Sequence, residues 1–199
     1  KGGRCTQLFT GGLSNYSRVA MMFGLPKNAP ITDLVKAARK AYASRVPPVT
    51  VKTGPVKENI IKGNDIDLFE FPVPRWHRLD GGRYINTMQG SVTRDPVSGR
   101  MNVGIYRGMI GKKDTIPVLL WRPQNWGQDM QKYSDKHQEM PVAFIYGWEP
   151  CLAFCASSPI PPDVSEYDVM GAVRGAPVEL VDCETVPLQV PATAEMVVE

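Results

Sequence analysis

Residues 91–109 read SVTRDPVSGRMNVGIYRGM, and this stretch decides what kind of fold the chain adopts. Two apolar, β-prone runs flank the segment at 95–99, whose Asp, Pro, Ser and Gly residues are typical of a tight connection. Strand-like runs on both sides of such a connection indicate a β-hairpin. We therefore predict two antiparallel strands here, joined by a turn-rich tip around Pro96.

The second arm of this hairpin carries a neutral oxygen donor, Asn102, and a cation, Arg107, five positions apart. Successive side chains of a strand point to opposite faces, so a regular strand would separate the two. Gly104 lies between them and would permit a kink. Two interpretations stay open from this stretch alone: a site that uses both side chains, or a buried strand with a surface residue at each end.

The chain as a whole has the composition of an ordinary globular protein of 199 residues, with 43% hydrophobic and 22% charged residues. Its formal net charge of +3 is too small to favour nucleic acid or an anionic membrane as the main partner. No apolar run approaches the roughly 20 residues of a membrane span, and no secretory signal pattern is found. The four cysteines are too few for a disulfide scaffold, so we expect reduced thiols in a cytoplasmic protein.

The sequence pattern changes near residue 64. Residues 1–64 are predicted to form a small α/β region with helices beginning near Ser14 and Thr32 and short strands at 49–51 and 56–61. In residues 65–199 the spacing of hydrophobic residues shifts towards a period of two, and turn signals become frequent. This pattern indicates an antiparallel barrel or sandwich with a few helices. The predicted fold class is α+β. Because the chain starts without Met and stops within an apolar alternation, we expect it to be truncated at both ends.

Three carboxylates stand at positions that permit chemistry. Glu166 begins a helix that Ser165 is expected to cap, where it either complements the helix dipole or binds a hard cation. Glu195 and Glu199 frame an apolar strand and share one face of it. If that face is buried, one of the pair needs a cation or a raised pKa, as a general acid does; otherwise the face is a solvent-exposed edge.

Polar groups at the ends of other apolar segments are weaker candidates. They are the residues at 76–85, Gln124 with Asn125, and Ser157 with Ser158. Such groups suit recognition of a polar ligand edge, and turn chemistry is the alternative explanation for them.

Taken in chain order, these motifs resemble the UbiD family of prenylated-FMN-dependent decarboxylases. The resemblance runs from Trp76 to Glu199 and is carried by WHRLDGGRYI at 76–85, NVGIYR at 102–107, MPVA at 140–143, SEY at 165–167, GAVRGA at 171–176 and VPATAE at 190–195. It implies that residues 65–199 form a split β-barrel that binds prenylated FMN. A C-terminal domain for oligomerisation, absent from this chain, is expected to follow.

The resemblance also implies an activity: reversible, non-oxidative decarboxylation of an aromatic, heteroaromatic or α,β-unsaturated carboxylic acid through a covalent adduct with prenylated FMN. The cofactor phosphate is expected to be held through Mn²⁺, or another divalent cation, and K⁺. The expected partners are the acid substrate, a flavin prenyltransferase that supplies the cofactor, and further copies of the chain. Two alternatives stay open: a split-barrel oxidoreductase that binds ordinary FMN, and a non-catalytic interaction domain.

Site residues follow from the resemblance by position. The implied metal ligands are Asn102, Asn125 and Glu166, with Asn125 standing where many relatives carry a histidine. The implied cofactor-binding residues are Asn102, Ile105, Tyr106, Arg107, Gln124, Ser157 and Ser158. The implied catalytic residues are Arg107, Glu195 and Glu199: the arginine holds the substrate carboxylate or its glutamate partner, and one glutamate protonates the carbon left behind. Asn102 is then expected at the phosphate end of the flavin and Arg107 at the substrate end.

Overall fold

The computed structural model describes residues 7–161 and 163–199. In that part of the chain the α-helices are α1 (Tyr16–Met22), α2 (Ile31–Ala43), α3 (Asn125–Ser134), α4 (Cys151–Ala156) and α5 (Glu166–Arg174). The strands are β1 (Val49–Thr50), β2 (Gly90–Arg94), β3 (Met101–Gly104), β4 (Ala143–Tyr146), β5 (Glu179–Asp182), β6 (Gln189–Pro191) and β7 (Met196–Val198). One-turn 3-10 helices lie at Pro55–Lys57, Gly63–Asp65 and Leu68–Glu70. The fold class is α+β, as predicted.

The strands form two sheets. The first has the order β1-β5-β6, with β1 parallel to β5 and β5 antiparallel to β6. The second has the order β3-β2-β4-β7 and is antiparallel throughout. Neither closes into a barrel within the described residues, so the split barrel stays a prediction.

The predicted hairpin is confirmed as β2 and β3. Their register pairs Ser91 with Gly104 and Thr93 with Asn102. At the tip, the Asp95 carboxylate accepts a hydrogen bond from the Val97 N–H at 2.9 Å. This local bond spans Pro96 and fixes the turn. The turn then fixes the register of both strands.

Residues from both sides of position 64 share one sheet and one core. Strand β1 pairs with β5, and the Val46 N–H donates to the Asp168 carbonyl at the start of α5. The predicted boundary at 64 therefore stays a prediction. The predicted strand at 56–61 is wrong: Pro55 has no N–H to give to a ladder and begins a 3-10 helix instead.

The main core lies between the first sheet, β2–β4 and helices α4 and α5. Its largest fully buried members are Tyr167, Ile145, Met170, Leu180 and Leu188. Cys151, Cys155 and Cys183 are free thiols, as expected; Cys5 lies outside the described residues. No helix in the described ranges combines the length and the apolar character needed to cross a bilayer.

Candidate cofactor and metal site

Asn102 is buried at the centre of β3 with only 1% of its surface exposed. Its Nδ2 donates to the Thr93 hydroxyl at 3.2 Å and to the Tyr106 hydroxyl at 3.5 Å. The interpretation of Asn102 as a surface residue at a strand end is therefore wrong. With both amide hydrogens engaged on one side, the Oδ1 atom is left as the acceptor for a ligand.

Tyr106 connects this strand to helix α3. Strand β3 ends at Gly104, the chain turns, and the Tyr106 ring stacks on the Trp126 indole with centroids 3.9 Å apart and planes 5° apart. Burial raises the pKa of Tyr106, while the amides of Asn102 and Trp126 oppose that rise. Because Trp126 is the second residue of α3, this stack links the start of that helix, where Asn125 lies, to the tyrosine whose hydroxyl accepts from the Asn102 amide.

Position 104 has no room for a Cβ atom. A Cβ atom at this position would lie 2.6 Å from the Tyr106 ring and hydroxyl, which is too close for any contact. We predict that Gly104→Ala lowers the free energy of unfolding by about 2 kcal/mol, the typical cost of overpacking. Chemical denaturation measures this. Gly81→Ala, where the added Cβ meets only the Met109 sulfur at 3.6 Å, is the control, and an equal loss in both variants would contradict the steric explanation.

Glu166 lies at the start of α5 with 4% of its surface exposed. Its Oε2 accepts a hydrogen bond from the Val103 N–H at 2.7 Å, so the carboxylate touches the residue that follows Asn102. Burial raises the pKa of Glu166 to about 7, and the N–H groups of Val103 and of Glu166 itself oppose that rise. The predicted helix is confirmed, but the expected cap is wrong because the Ser165 hydroxyl makes no cap bond.

The residues present fit a hard cation. A buried carboxylate needs a compensating charge, and no ion pair joins Glu166 to a basic side chain in the described residues. A carboxylate with amide oxygens is a suitable donor set for such an ion. No cluster of three His, Cys, Asp or Glu side chains suited to a metal occurs in the described ranges, so a cation here depends on amide ligands.

The raised pKa of Glu166 has a consequence for the metal-free protein. The folded state retains a proton between pH 4.5 and about 7 that the unfolded state has lost. The stabilisation of the folded state by this proton is fully present below pH 4.5. It is lost as the pH rises from there through the folded pKa of about 7, and the free energy of unfolding falls by about 3 kcal/mol. We predict that Glu166→Gln removes this pH dependence in denaturation experiments from pH 5 to 8, whereas Glu179→Gln at an exposed site keeps it. Parallel curves for Glu166→Gln and wild type would contradict this.

The other expected cofactor residues lie at the ends of β3, α3 and α4. Ile105 is partly buried, and Gln124 is exposed immediately before α3. The hydroxyls of Ser157 and Ser158 donate to the carbonyls of the last turn of α4, Ser158 to Phe154 at 2.6 Å. The hydroxyl protons of both serines are therefore donated to α4 carbonyls, and only the oxygen lone pairs are available to a ligand.

The three expected catalytic residues flank two strands of the second sheet: Arg107 follows β3, Glu195 precedes β7 and Glu199 follows it. In the described part of the chain no ion pair joins Arg107, which is exposed, to Glu195 or Glu199. Strands β3 and β7 are the two edges of the second sheet, and the roles of the three residues stay a prediction. Glu199 instead accepts from the Glu184 N–H at 2.7 Å and from the Thr185 hydroxyl. The Glu195 side chain is exposed and lies over Gly147.

Two buried polar residues beside Asn102 were not among the sequence candidates. Thr93 faces Asn102 from β2, and Asp129 of α3 accepts a hydrogen bond from the Thr93 hydroxyl at 2.7 Å. The available signal was the spacing of Asp129 from Trp126, three positions apart on one helix face.

Comparison with known proteins gives the family of the chain. The model of the 3-octaprenyl-4-hydroxybenzoate carboxy-lyase Rift-related domain, UbiD, matches residues 48–199. The chain belongs to the UbiD family. Pyrrole-2-carboxylic acid decarboxylase of Pseudomonas aeruginosa is 35% identical to this UbiD-family chain over 185 residues, covering 92% of the chain and 37% of the relative. Ferulic acid decarboxylase 1 of Saccharomyces cerevisiae is 34% identical over 190 residues, covering 93% and 38%.

Solved structures of the family share the fold. The UbiD-class enzyme HmfF from Pelotomaculum thermopropionicum, in complex with FMN, has a TM-score of 0.85 and 31% identity, over 92% of this chain and 40% of that one. Vanillic acid decarboxylase of Sedimentibacter hydroxybenzoicus has a TM-score of 0.86 and 32% identity over the same shares. This UbiD-family chain therefore spans about two fifths of the length of the relatives it matches.

Proposed function

We propose that this chain is the flavin-binding part of a decarboxylase that acts on an aromatic, heteroaromatic or α,β-unsaturated carboxylic acid. The observation that carries the proposal is the convergence of Asn102 from β3, Glu166 from α5 and the Tyr106–Trp126 stack at the start of α3. The named activities of the relatives, on ferulic, vanillic and pyrrole-2-carboxylic acids, support the substrate class.

Prenylated FMN is the proposed cofactor, bound in a split barrel built around the second sheet. An evolved dimeric form of HmfF has been solved with prenylated FMN, which supports this choice. Asn102 and Glu166, with Asn125, would hold Mn²⁺ or another divalent cation at the phosphate, assisted by K⁺. When bound, the cofactor would accept the electrons released as carbon dioxide departs.

The chain's own residues would orient the substrate and deliver a proton. Arg107 is exposed beyond the end of β3, where its guanidinium can form charge-assisted hydrogen bonds to a substrate carboxylate. Glu195 is the stronger candidate for the acid, because Glu199 is engaged by Glu184 and Thr185. A flavin prenyltransferase is the proposed cofactor supplier, the cytoplasm the proposed location, and a homodimer or larger assembly the proposed state of the complete protein.

The role of Glu195 gives a direct prediction. Glu195→Gln should keep the bound flavin and lose at least about 100-fold in turnover, the usual contribution of a general acid. The measurement is carbon dioxide release by the complete protein together with its flavin content. Unchanged turnover would assign the proton to another group, and Glu179→Gln at an exposed strand position is the matched control.

Mass spectrometry of the bound flavin tests the proposed function. The complete protein, produced together with a flavin prenyltransferase, should contain prenylated FMN and release carbon dioxide from at least one acid of the proposed classes. Unmodified FMN alone would favour the oxidoreductase alternative. Absence of any flavin would favour an interaction domain.

A further inference from the structure

Thr93 and Asp129 form a buried chain of hydrogen bonds that ends on the Asn102 amide. The register of β2 and β3 places Thr93 directly opposite Asn102. The exposed fractions are 0% for Thr93, 1% for Asp129 and 1% for Asn102. The Thr93 hydroxyl donates to Asp129 Oδ2 at 2.7 Å and accepts from Asn102 Nδ2 at 3.2 Å.

The donor-to-acceptor direction of these hydrogen bonds determines which way the Asn102 amide faces. A hydroxyl has one proton, and here that proton is given to the Asp129 carboxylate. The Thr93 oxygen can therefore meet Asn102 only through a lone pair, which accepts an N–H and repels a carbonyl oxygen. A flipped Asn102 would lose this bond, whereas the Tyr106 hydroxyl, which can donate or accept, can bond to either end of the amide.

Charged side chains of both signs influence Asp129. Arg100 and Lys132 face it with positive charge, and Asp95, which pairs with Lys132 at 2.5 Å, faces it with negative charge. A buried carboxylate is costly to keep in an apolar interior. Its one side-chain hydrogen bond in the described residues goes to Thr93, so its local effect is to orient that hydroxyl.

We propose that Thr93 and Asp129 are positioning residues that fix the Asn102 amide with Nδ2 towards β2 and Oδ1 towards a cation. The inference rests on the proposed function, in which Asn102 and Glu166 hold that cation. Outer groups that orient a metal ligand commonly change metal affinity by 10–100-fold when removed. The pair would thus set the affinity of the site without touching the metal.

The test is Mn²⁺ affinity of the complete, flavin-free protein, measured by electron paramagnetic resonance of free Mn²⁺. Thr93→Val, which keeps the shape and removes the hydroxyl, should weaken binding by about 10-fold or more. Thr93→Ser restores the hydroxyl and should bind within about threefold of wild type. Asp129→Asn should also weaken binding, because an amide can donate to Thr93 and reverse the chain. Thr50→Val is the control: it removes a hydroxyl on β1 that accepts a hydrogen bond from Gln189 of β6, and it should leave the Mn²⁺ affinity unchanged.

The outcomes separate the two proposals. Unchanged affinity in Thr93→Val, or equal losses in Thr93→Val and Thr93→Ser, would overturn the positioning role while leaving the metal site intact. A wild-type protein that binds no Mn²⁺, or an Asn102→Ala variant with undiminished affinity, would overturn the metal site and the positioning role with it. Circular dichroism of each variant separates a folding failure from a loss of affinity, and if Thr93→Val does not fold, the Thr93→Ser and Asp129→Asn pair decides.

Discussion

Glu166→Gln is expected to reduce Mn²⁺ affinity by at least about 100-fold, a loss of about 3 kcal/mol, and to leave the purified protein largely without flavin. Glu166 is the single carboxylate in the proposed ligand set, and the substitution replaces its charge by a neutral amide. The amide oxygen can still accept from the Val103 N–H, the bond that Glu166 makes at 2.7 Å. The fold should therefore survive while the cation and the phosphate it holds are lost.

Two measurements check this expectation: Mn²⁺ titration and the ratio of flavin to protein absorbance in the complete protein. Glu179→Gln, a carboxylate removed from an exposed position of β5, is the matched control and should retain both. Full flavin content in Glu166→Gln would show that the phosphate is held by other groups.

Arg107→Ala is expected to lower kcat/KM for the acid by about 100-fold or more, because a charged group bonded to a substrate carboxylate typically contributes 2–5 kcal/mol. Arg107→Lys should also be impaired, since a lysine cannot form the two parallel bonds of a guanidinium. Arg107 is exposed and makes no ion pair with another described residue, so the fold should not depend on it.

Steady-state kinetics with flavin content as a second readout checks this prediction. Arg39→Ala, an exposed arginine on α2, is the control and should match wild type. Loss of flavin in Arg107→Ala with normal turnover per bound flavin would show that Arg107 binds the cofactor and not the substrate.

The local part of the fold could be predicted from the sequence. The hairpin of β2 and β3 was accessible because Asp95 and Gly99 specify a turn between two alternating runs. The start of helix α5 was also predicted, because Ser165 and Glu166 are residue types typical of the beginning of a helix. The parallel pairing of β1 with β5 was not accessible, because it joins Val49 to Glu179 across the length of the chain and leaves no local signal.

The site was predictable in its parts and not in its arrangement. Asn102 and Arg107 were expected to serve different ends of one ligand, and the end of β3 at Gly104 gives them different surroundings, one buried and one exposed. The pairing of Arg107 with a glutamate stays a prediction, because sequence spacing cannot determine the distance between residues beside β3 and residues beside β7, the two edges of the sheet. The hydrogen bond between Thr93 and Asp129 forms only because α3 packs on the hairpin, and the sequence does not show that packing.

The central claim is that Asn102 and Glu166 hold a cation at the phosphate of a prenylated flavin. Anomalous diffraction at the manganese edge, from crystals of the complete protein produced with a flavin prenyltransferase, tests it most directly. We predict one strong peak in coordination distance of Asn102 Oδ1 and the Glu166 carboxylate, beside the flavin phosphate. A bound flavin whose phosphate lies elsewhere, with no peak between these two side chains, would contradict the claim.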